Sequence, residues 1–310
     1  MDGFVVKGRE VRLTTLINSK LGTGLALWLS RSLPGWLGYP VSRLAADLLS
    51  GRSRSSQVRA LRANLWVVSG EQATREQLDQ WVKQSYRNSA RAIYDFYHHL
   101  RDHQRVLNLV EVDPSFEEVI EKGRSLRAGQ VLVVPHVSNF DLVGRAAALR
   151  GLQMQVISAP NPPGGYQWQN AIREEVGIEI TPASNEALRR ALTNLRAGGT
   201  VLTGLDRPFD GSKYRLKFFG RPAALPVVHI QLALRTKLPV TVIGGAMKAD
   251  HTYRVWALPP IAMKEMPDHE AEIVYNAEAV LSAAEEVVRQ DPQQWNMTQP
   301  VWPEAMQMAP

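Results

Sequence analysis

From about residue 115 onward, short apolar runs alternate with segments of helical periodicity, and this alternation narrows the fold more than any other feature of the chain. Residues 131–134, 153–159, 178–180, 200–204, 239–244 and 253–258 have the length and β-branched content of buried strands. Helical stretches fall between them, at 116–122, near 168–175, after Ser184, at 227–235 and at 270–289. Ser184 is a fitting N-cap, Leu188, Ala191, Leu192 and Leu195 share one face, and Gly198-Gly199 ends the segment. Such an order implies an α/β fold with a mostly parallel central sheet flanked by helices. The first hundred residues read differently. Over 71–100, Leu78, Trp81, Val82, Tyr86, Ala90, Ile93, Tyr94 and Tyr97 recur at spacings of three and four. The expected organisation is an N-terminal helical, membrane-associating region over 1–100 and an α/β core over 101–310, the core being one continuous domain.

Composition excludes several chemistries. The 310 residues include no Cys, so disulfides, thiolate metal sites and an acyl-thiol enzyme intermediate are all ruled out. A formal charge of +6 favours an anionic partner: a membrane surface, a phosphorylated ligand or nucleic acid. Nucleic acid fits poorly, because the basic cluster Arg52, Arg54, Arg59 and Arg62 has no interleaved aromatics for base stacking. A solvated helix face and an anionic-lipid contact both account for that cluster. Residues 1–15 lack the apolar segment of a secretory signal. Residues 19–49 are rich in Leu and Trp, but Lys20, Arg31, Pro34-Gly35 and Arg43 interrupt them. No run reaches the roughly 18–20 apolar residues that span a bilayer. This segment reads as lying in a membrane interface, as packing on the core, or as both.

Chemistry concentrates where the run Val131-Leu132-Val133-Val134 ends in Pro135-His136, with Asp141 following in the first turn of the next helix. A histidine at the carboxyl end of a buried strand stands where open α/β sheets build their sites. A carboxylate bonded to one imidazole nitrogen would fix the tautomer and free the other as a general base. The same residues also fit a capping box, with Ser138 as N-cap and Asp141 at N3. Spacing alone leaves both readings open. Strand 200–204 runs into Asp206-Arg207, which puts a second acid at a second strand end and a cation suited to phosphate beside it. Phe218 and Phe219 are candidates to line an apolar channel, with core packing as the alternative, and Asn139 joins Arg207 among the substrate-binding candidates. His98, His99 and His103 lack companions that would complete a metal set, so no metal is expected.

Five segments, in order, carry a family resemblance: Pro-His-Val-Ser-Asn-Phe-Asp-Leu-Val-Gly at 135–144, Ala-Leu-Arg-Arg-Ala-Leu-Thr-Asn-Leu-Arg-Ala-Gly-Gly at 187–199, Leu-Asp-Arg at 205–207, Phe-Phe-Gly at 218–220 and Gln-Trp-Asn-Met at 294–297. Together they resemble the bacterial acyltransferases that acylate glycolipids, namely the lipid A late acyltransferases and, more closely, the phosphatidylinositol mannoside acyltransferases. The resemblance spans roughly residues 80 to 303 and implies a glycerolipid-acyltransferase-like fold. The family's histidine–four residues–aspartate motif maps onto His136 and Asp141, which raises their catalytic reading above capping. A Glu often supports the histidine in the mannoside enzymes. Here the matching position is Asp206, one methylene shorter, so a supporting role is expected and a direct bond to His136 is left open. The lipid A enzymes generally begin with a transmembrane anchor, which is not evident here, so the expectation is a peripheral enzyme on the cytoplasmic face of the cell membrane.

The function implied is transfer of a fatty acyl group from acyl-CoA or acyl carrier protein to a hydroxyl of a glycolipid or phospholipid. His136 serves as general base, with no cofactor beyond the thioester co-substrate. The expected partners are the acyl donor, the lipid acceptor and an anionic membrane surface. Hydrolysis of an acyl thioester or ester, and non-catalytic binding at a membrane surface, are the competing readings.

Overall fold

The computed structural model describes residues 24, 30–160 and 164–310. The expectations placed on residues 1–15 and on most of 19–29 lie outside this set, as do residues 161–163, which follow the strand expected at 153–159.

Three helices come first: α1 (Gly35–Ser50), α2 (Ser56–Val68) and α3 (Arg75–His98). The last begins in a reciprocal capping box between Thr74 and Gln77. Helices α1 and α3 lie antiparallel, because Leu33 O accepts from Tyr94 Oη, Tyr39 Oη donates to Asp95, and Asp47 accepts two bonds from Arg87. Gly38 permits their close approach, since a Cβ there would lie 2.1 Å from the Tyr94 ring.

The core follows as α4 (His103–Leu109), β1 (Val110–Val112), α5 (Pro114–Ser125), β2 (Gln130–Val134), α6 (Phe140–Leu149), β3 (Met154–Ser158), α7 (Gly164–Glu174), β4 (Ile178–Pro182), α8 (Asn185–Arg196), β5 (Thr200–Gly204), the hairpin β6 (Leu216–Phe218) and β7 (Arg221–Ala223), α9 (Val228–Thr236), β8 (Val240–Met247), β9 (Tyr253–Ala257) and α10 (His269–Gln290). A short helix, α11 (Ala305–Met308), lies near the end. Seven strands form one sheet in the order β1-β9-β8-β2-β5-β3-β4. Every pairing in it is parallel except β8 with β9. The fold is therefore α/β with a mostly parallel sheet, preceded by a helical region. As the alternation predicts, Ser184 caps α8 through Ala187 N, and Gly198 ends it at φ +88°.

Both faces of the sheet are covered, which accounts for its nearly continuous apolar strands. In β2, Val131 and Val133 belong to one apolar cluster, with Leu232 of α9 and Val280 of α10. Leu132, between them, belongs to the other, with Ile120 of α5 and Leu142 of α6. The period of two thus sends alternate side chains into two cores. No described helix is long and apolar enough to cross a membrane.

Candidate active site

Register creates the site. In the parallel pair β2 and β5, Val134 stands opposite Gly204. Two residues beyond each come His136 and Asp206, side by side at the carboxyl edge of the sheet. The His136 imidazole meets Asp206 through Nδ1, 2.5 Å from Oδ1. The second oxygen, Oδ2, accepts from the His136 backbone N–H at 2.7 Å and from Trp295 Nε1–H at 2.7 Å. Asp206 is fully buried. That burial pushes its pKa up, but attraction to His136 and the bonds from the ring, the Trp295 indole and the His136 amide outweigh it and hold the carboxyl below the usual range. Three donors on a buried carboxylate fix it as an anion, and the anion fixes the ring.

The loop around His136 is clamped by the C-terminal segment. Asn296 N donates to His136 O and Ser138 N donates to Gln294 O, both at 2.8 Å. Asn296 Nδ2 donates to Ser138 O, and Ser89 Oγ donates to Asn296 Oδ1. Gln294 is itself bonded twice to the Met247 backbone, through its N–H and its O. Ser138 adopts φ +52°, a left-handed turn that costs energy in a non-glycine residue and persists because these bonds impose it. On the other side, a Cβ at Gly204 would lie 2.6 Å from His136 Cε1. Glycine here makes room for the ring. Gly204→Ala is therefore expected to displace the imidazole and sharply lower activity while leaving the thermal unfolding midpoint nearly unchanged. Unchanged kcat/KM in that variant would show that the ring position tolerates the shift.

Asp141 does not hold the imidazole, contrary to the expectation from spacing. It accepts from Arg173 of α7, with Nε 2.8 Å and Nη2 2.7 Å from Oδ1. The reason is geometric: strand register supplies Nδ1 with Asp206, and the first turn of α6 faces α7. Nor is Ser138 the N-cap. That position belongs to Asn139, whose Oδ1 accepts from Leu142 N while Nδ2 donates to Ala92 O. Asn139 borders the cavity, yet both ends of its amide are engaged with protein, so it shapes the turn rather than offering a free contact to substrate. Phe218 and Phe219 are also corrected. They pack against Trp295 and Trp302 in a buried aromatic cluster behind Asp206 and are not among the residues that line the cavity. Their contribution is to seat the indole that bonds Asp206.

His136 opens onto a cavity of about 930 Å³. Its floor is the sheet face of Met154, Val156 and Leu202, and its walls include Ile93, Phe96 and Tyr97 of α3 and Val143 of α6. Arg207, Lys213, Gln231 and Asn185 add polar and cationic groups to a largely apolar lining. The ring edge of His136 rests on Phe140, centroids 5.2 Å apart. Its Nε2 has no hydrogen-bond partner among the described residues. Among those same residues, no three His, Cys, Asp or Glu side chains gather to hold a metal ion.

Trp295, Asn296, Gly204 and Arg173 were not singled out as site residues by sequence reasoning. For Trp295 and Asn296 a signal was present in the Gln-Trp-Asn-Met segment, but nothing local shows that it returns to the edge of β2, some 160 residues earlier.

No curated protein matches the chain significantly. The sequence pattern of one family, described as bacterial lipid A biosynthesis acyltransferase, matches residues 9–304, nearly the whole length. The protein that builds this histidine–aspartate pair at a sheet edge therefore belongs to the bacterial lipid A biosynthesis acyltransferase family.

Proposed function

We propose that the protein moves a fatty acyl group from a thioester donor, acyl-CoA or acyl carrier protein, to a hydroxyl of a glycolipid or phospholipid. The observation that carries this reading is the His136–Asp206 pair, which leaves one imidazole nitrogen open at the rim of a largely apolar cavity. With Nδ1–H directed at Asp206, the lone pair on Nε2 accepts the proton of the acceptor hydroxyl as its oxygen attacks the thioester carbonyl. The resulting imidazolium is stabilised by the buried carboxylate. The tetrahedral intermediate collapses, the C–S bond breaks, and the thiolate leaves with the proton returned from Nε2. Proton and acyl group are then both accounted for without any enzyme-bound acyl intermediate. Arg207, on the cavity wall one residue past Asp206, supports contact with a phosphate of donor or acceptor.

Asp141 serves in this reading as a positioning residue. Its bonds to Arg173 tie α7 to the start of α6, and both residues border the cavity. Incubating the protein with labelled acyl-CoA or acyl carrier protein and total bacterial membrane lipid tests the assignment. Label in a lipid product is expected, and label released only as free fatty acid would replace transfer with hydrolysis.

The outer face of α1 supports a peripheral attachment at the membrane surface. Trp36, Leu44 and Leu48 are 78%, 61% and 64% exposed, and Leu37 and Val41 border them. Arg31 and Arg43 are exposed close by, which suits anionic headgroups. Ile93, half exposed on α3, belongs to the cavity wall, so the cavity opens on the helical layer that includes α1. Replacing Trp36 and Leu44 together by Asp is expected to weaken binding to anionic vesicles by at least about tenfold per side chain. Vesicle binding unchanged in the double variant would remove α1 from the attachment.

A further inference from the structure

Asp95 of α3 is 1% exposed, and no step of the transfer proposed above uses it. Neither it nor its tyrosine partners, Tyr39 and Tyr253, are among the residues that line the cavity. Burying a carboxylate is costly unless it is paired and hydrogen-bonded. Here each oxygen has its own donor. Oδ1 accepts from Tyr39 Oη of α1 at 2.8 Å, and Oδ2 accepts from Tyr253 Oη of β9 at 2.5 Å. The Arg91 guanidinium supplies the opposite charge, with Nε 3.6 Å from Oδ2, and lies over the Tyr39 ring, 4.2 Å from its centroid. Burial, and then the negative charge of Asp95, push both phenols far above their ordinary pKa, so both remain donors.

One limb of this junction ends at the turn that carries His136. Tyr253 stands opposite Met247 in the pair β8 and β9, and Met247 is the residue that holds Gln294, whose O accepts from Ser138 N. Tyr253, Ser138, Asn296 and Ala92 surround one small interior space, so the phenol lies close to the turn itself. Asn139 is drawn to the same place: its Nδ2 donates to Ala92 O, three residues before Asp95 on α3, and its side chain interacts with the Tyr253 hydroxyl. The other limb ends on α1, whose outer face bears the exposed Trp36, Leu44 and Leu48. A single carboxylate thus joins the exposed apolar helix to the residues that fix the catalytic turn.

We propose that Asp95 is a positioning residue for acyl transfer: through Tyr253 it holds the turn that places His136, and through Tyr39 it makes that placement depend on how α1 is seated. This rests on the acyl-transfer reading given above and on α1 as the attachment to the membrane surface. Helix α1 then bears on kcat and not only on binding to the bilayer.

The test reads the imidazole directly. The Nδ1 proton between His136 and Asp206 gives a low-field NMR resonance, identified by its absence from His136→Ala. It is recorded for wild type, Tyr39→Phe and Tyr253→Phe, together with thermal unfolding and the kcat and KM of acyl transfer from acyl-CoA to bacterial membrane lipid. Each substitution removes one hydroxyl and keeps the ring that packs. Both variants are expected to shift the resonance and to lower kcat by about three- to tenfold, the equivalent of one net hydrogen bond, with KM for the donor near wild type. Tyr253 is fully buried, so should its variant fail to fold, Tyr39→Phe, at the half-buried end of the junction, decides. A purely structural Asp95 predicts a lower unfolding midpoint with the resonance and the kcat of the folded protein unchanged, and that result overturns the proposal. A shift in Tyr253→Phe alone overturns it too, because the dependence on α1 is then absent. A wild type that transfers no acyl group sinks the transfer reading instead. The resonance needs no turnover, so it still decides whether Asp95 sets the position of the ring.

Discussion

Replacing His136 with alanine is expected to lower acyl transfer by roughly 10²–10⁴-fold, the range that a positioned general base contributes. The fold should survive. The His136 side chain is 14% exposed and stands at the end of β2, outside the ladder of the sheet. Its backbone bonds, N–H to Asp206 and O from Asn296, do not depend on the ring. The loss therefore belongs in kcat rather than in the unfolding midpoint, and binding of the acyl thioester should remain near wild type. Measuring transfer, thermal unfolding and thioester affinity on one preparation separates these effects. A variant that is folded and retains full transfer would take the base away from His136.

The second large effect is expected at Asp206, and it has two parts. Asp206→Asn removes the charge that faces the ring and that, in the proposed mechanism, balances the imidazolium, so transfer should fall by a comparable factor. Asp206→Ala does more, because it also leaves the Trp295 indole N–H and the His136 amide without an acceptor. Each unsatisfied buried donor costs about 1–3 kcal/mol. Against a total stability of about 5–15 kcal/mol, that is a visible fall in the unfolding midpoint. The pH dependence has a definite sign. Asp206 is held below the ordinary carboxylate range in the folded protein, so its contribution to stability is complete above that range. It is lost as the pH falls through the ordinary carboxylate value of about 3.9 and below. The stability gap between wild type and Asp206→Asn should accordingly narrow on acidification. A gap that is constant from neutral to acid pH would mean that Asp206 is protonated in the native state.

The sheet was readable from sequence because its signals are local. Six apolar runs, each bounded by turn residues, became strands, and 200–204 kept both of its limits. The missed elements had weaker local signatures. Strand β1 is only Val110–Val112, and it is held by pairing with β9, which comes far later in the chain. The hairpin β6–β7 is two strands of three residues, stabilised by α10 through Glu278 and Glu285 accepting from Lys217 N and Phe219 N.

At the site, the strand-end position of His136 was legible, as was the acid at 206. The assignment of partners was not. Sequence distance favoured Asp141, five positions from the histidine, over Asp206, seventy positions away. Only the adjacency of β2 and β5 reverses that preference, and strand order is a property of the whole sheet. Trp295 escaped for the same reason, since its indole reaches Asp206 from the far end of the chain. The aromatic pair Phe218-Phe219 shows the converse: two rings before a turn glycine fit channel lining and core packing equally well in sequence, and they are buried support for that indole.

The most direct test of which carboxylate serves the imidazole is kcat/KM for lipid acylation by Asp206→Asn and Asp141→Asn, measured side by side. Asp206→Asn is expected to fall by roughly 10²–10⁴-fold. Asp141→Asn, which keeps a hydrogen-bonding oxygen for Arg173, should lose far less. The reverse order, with Asp141→Asn inactive and Asp206→Asn near wild type, would contradict the account.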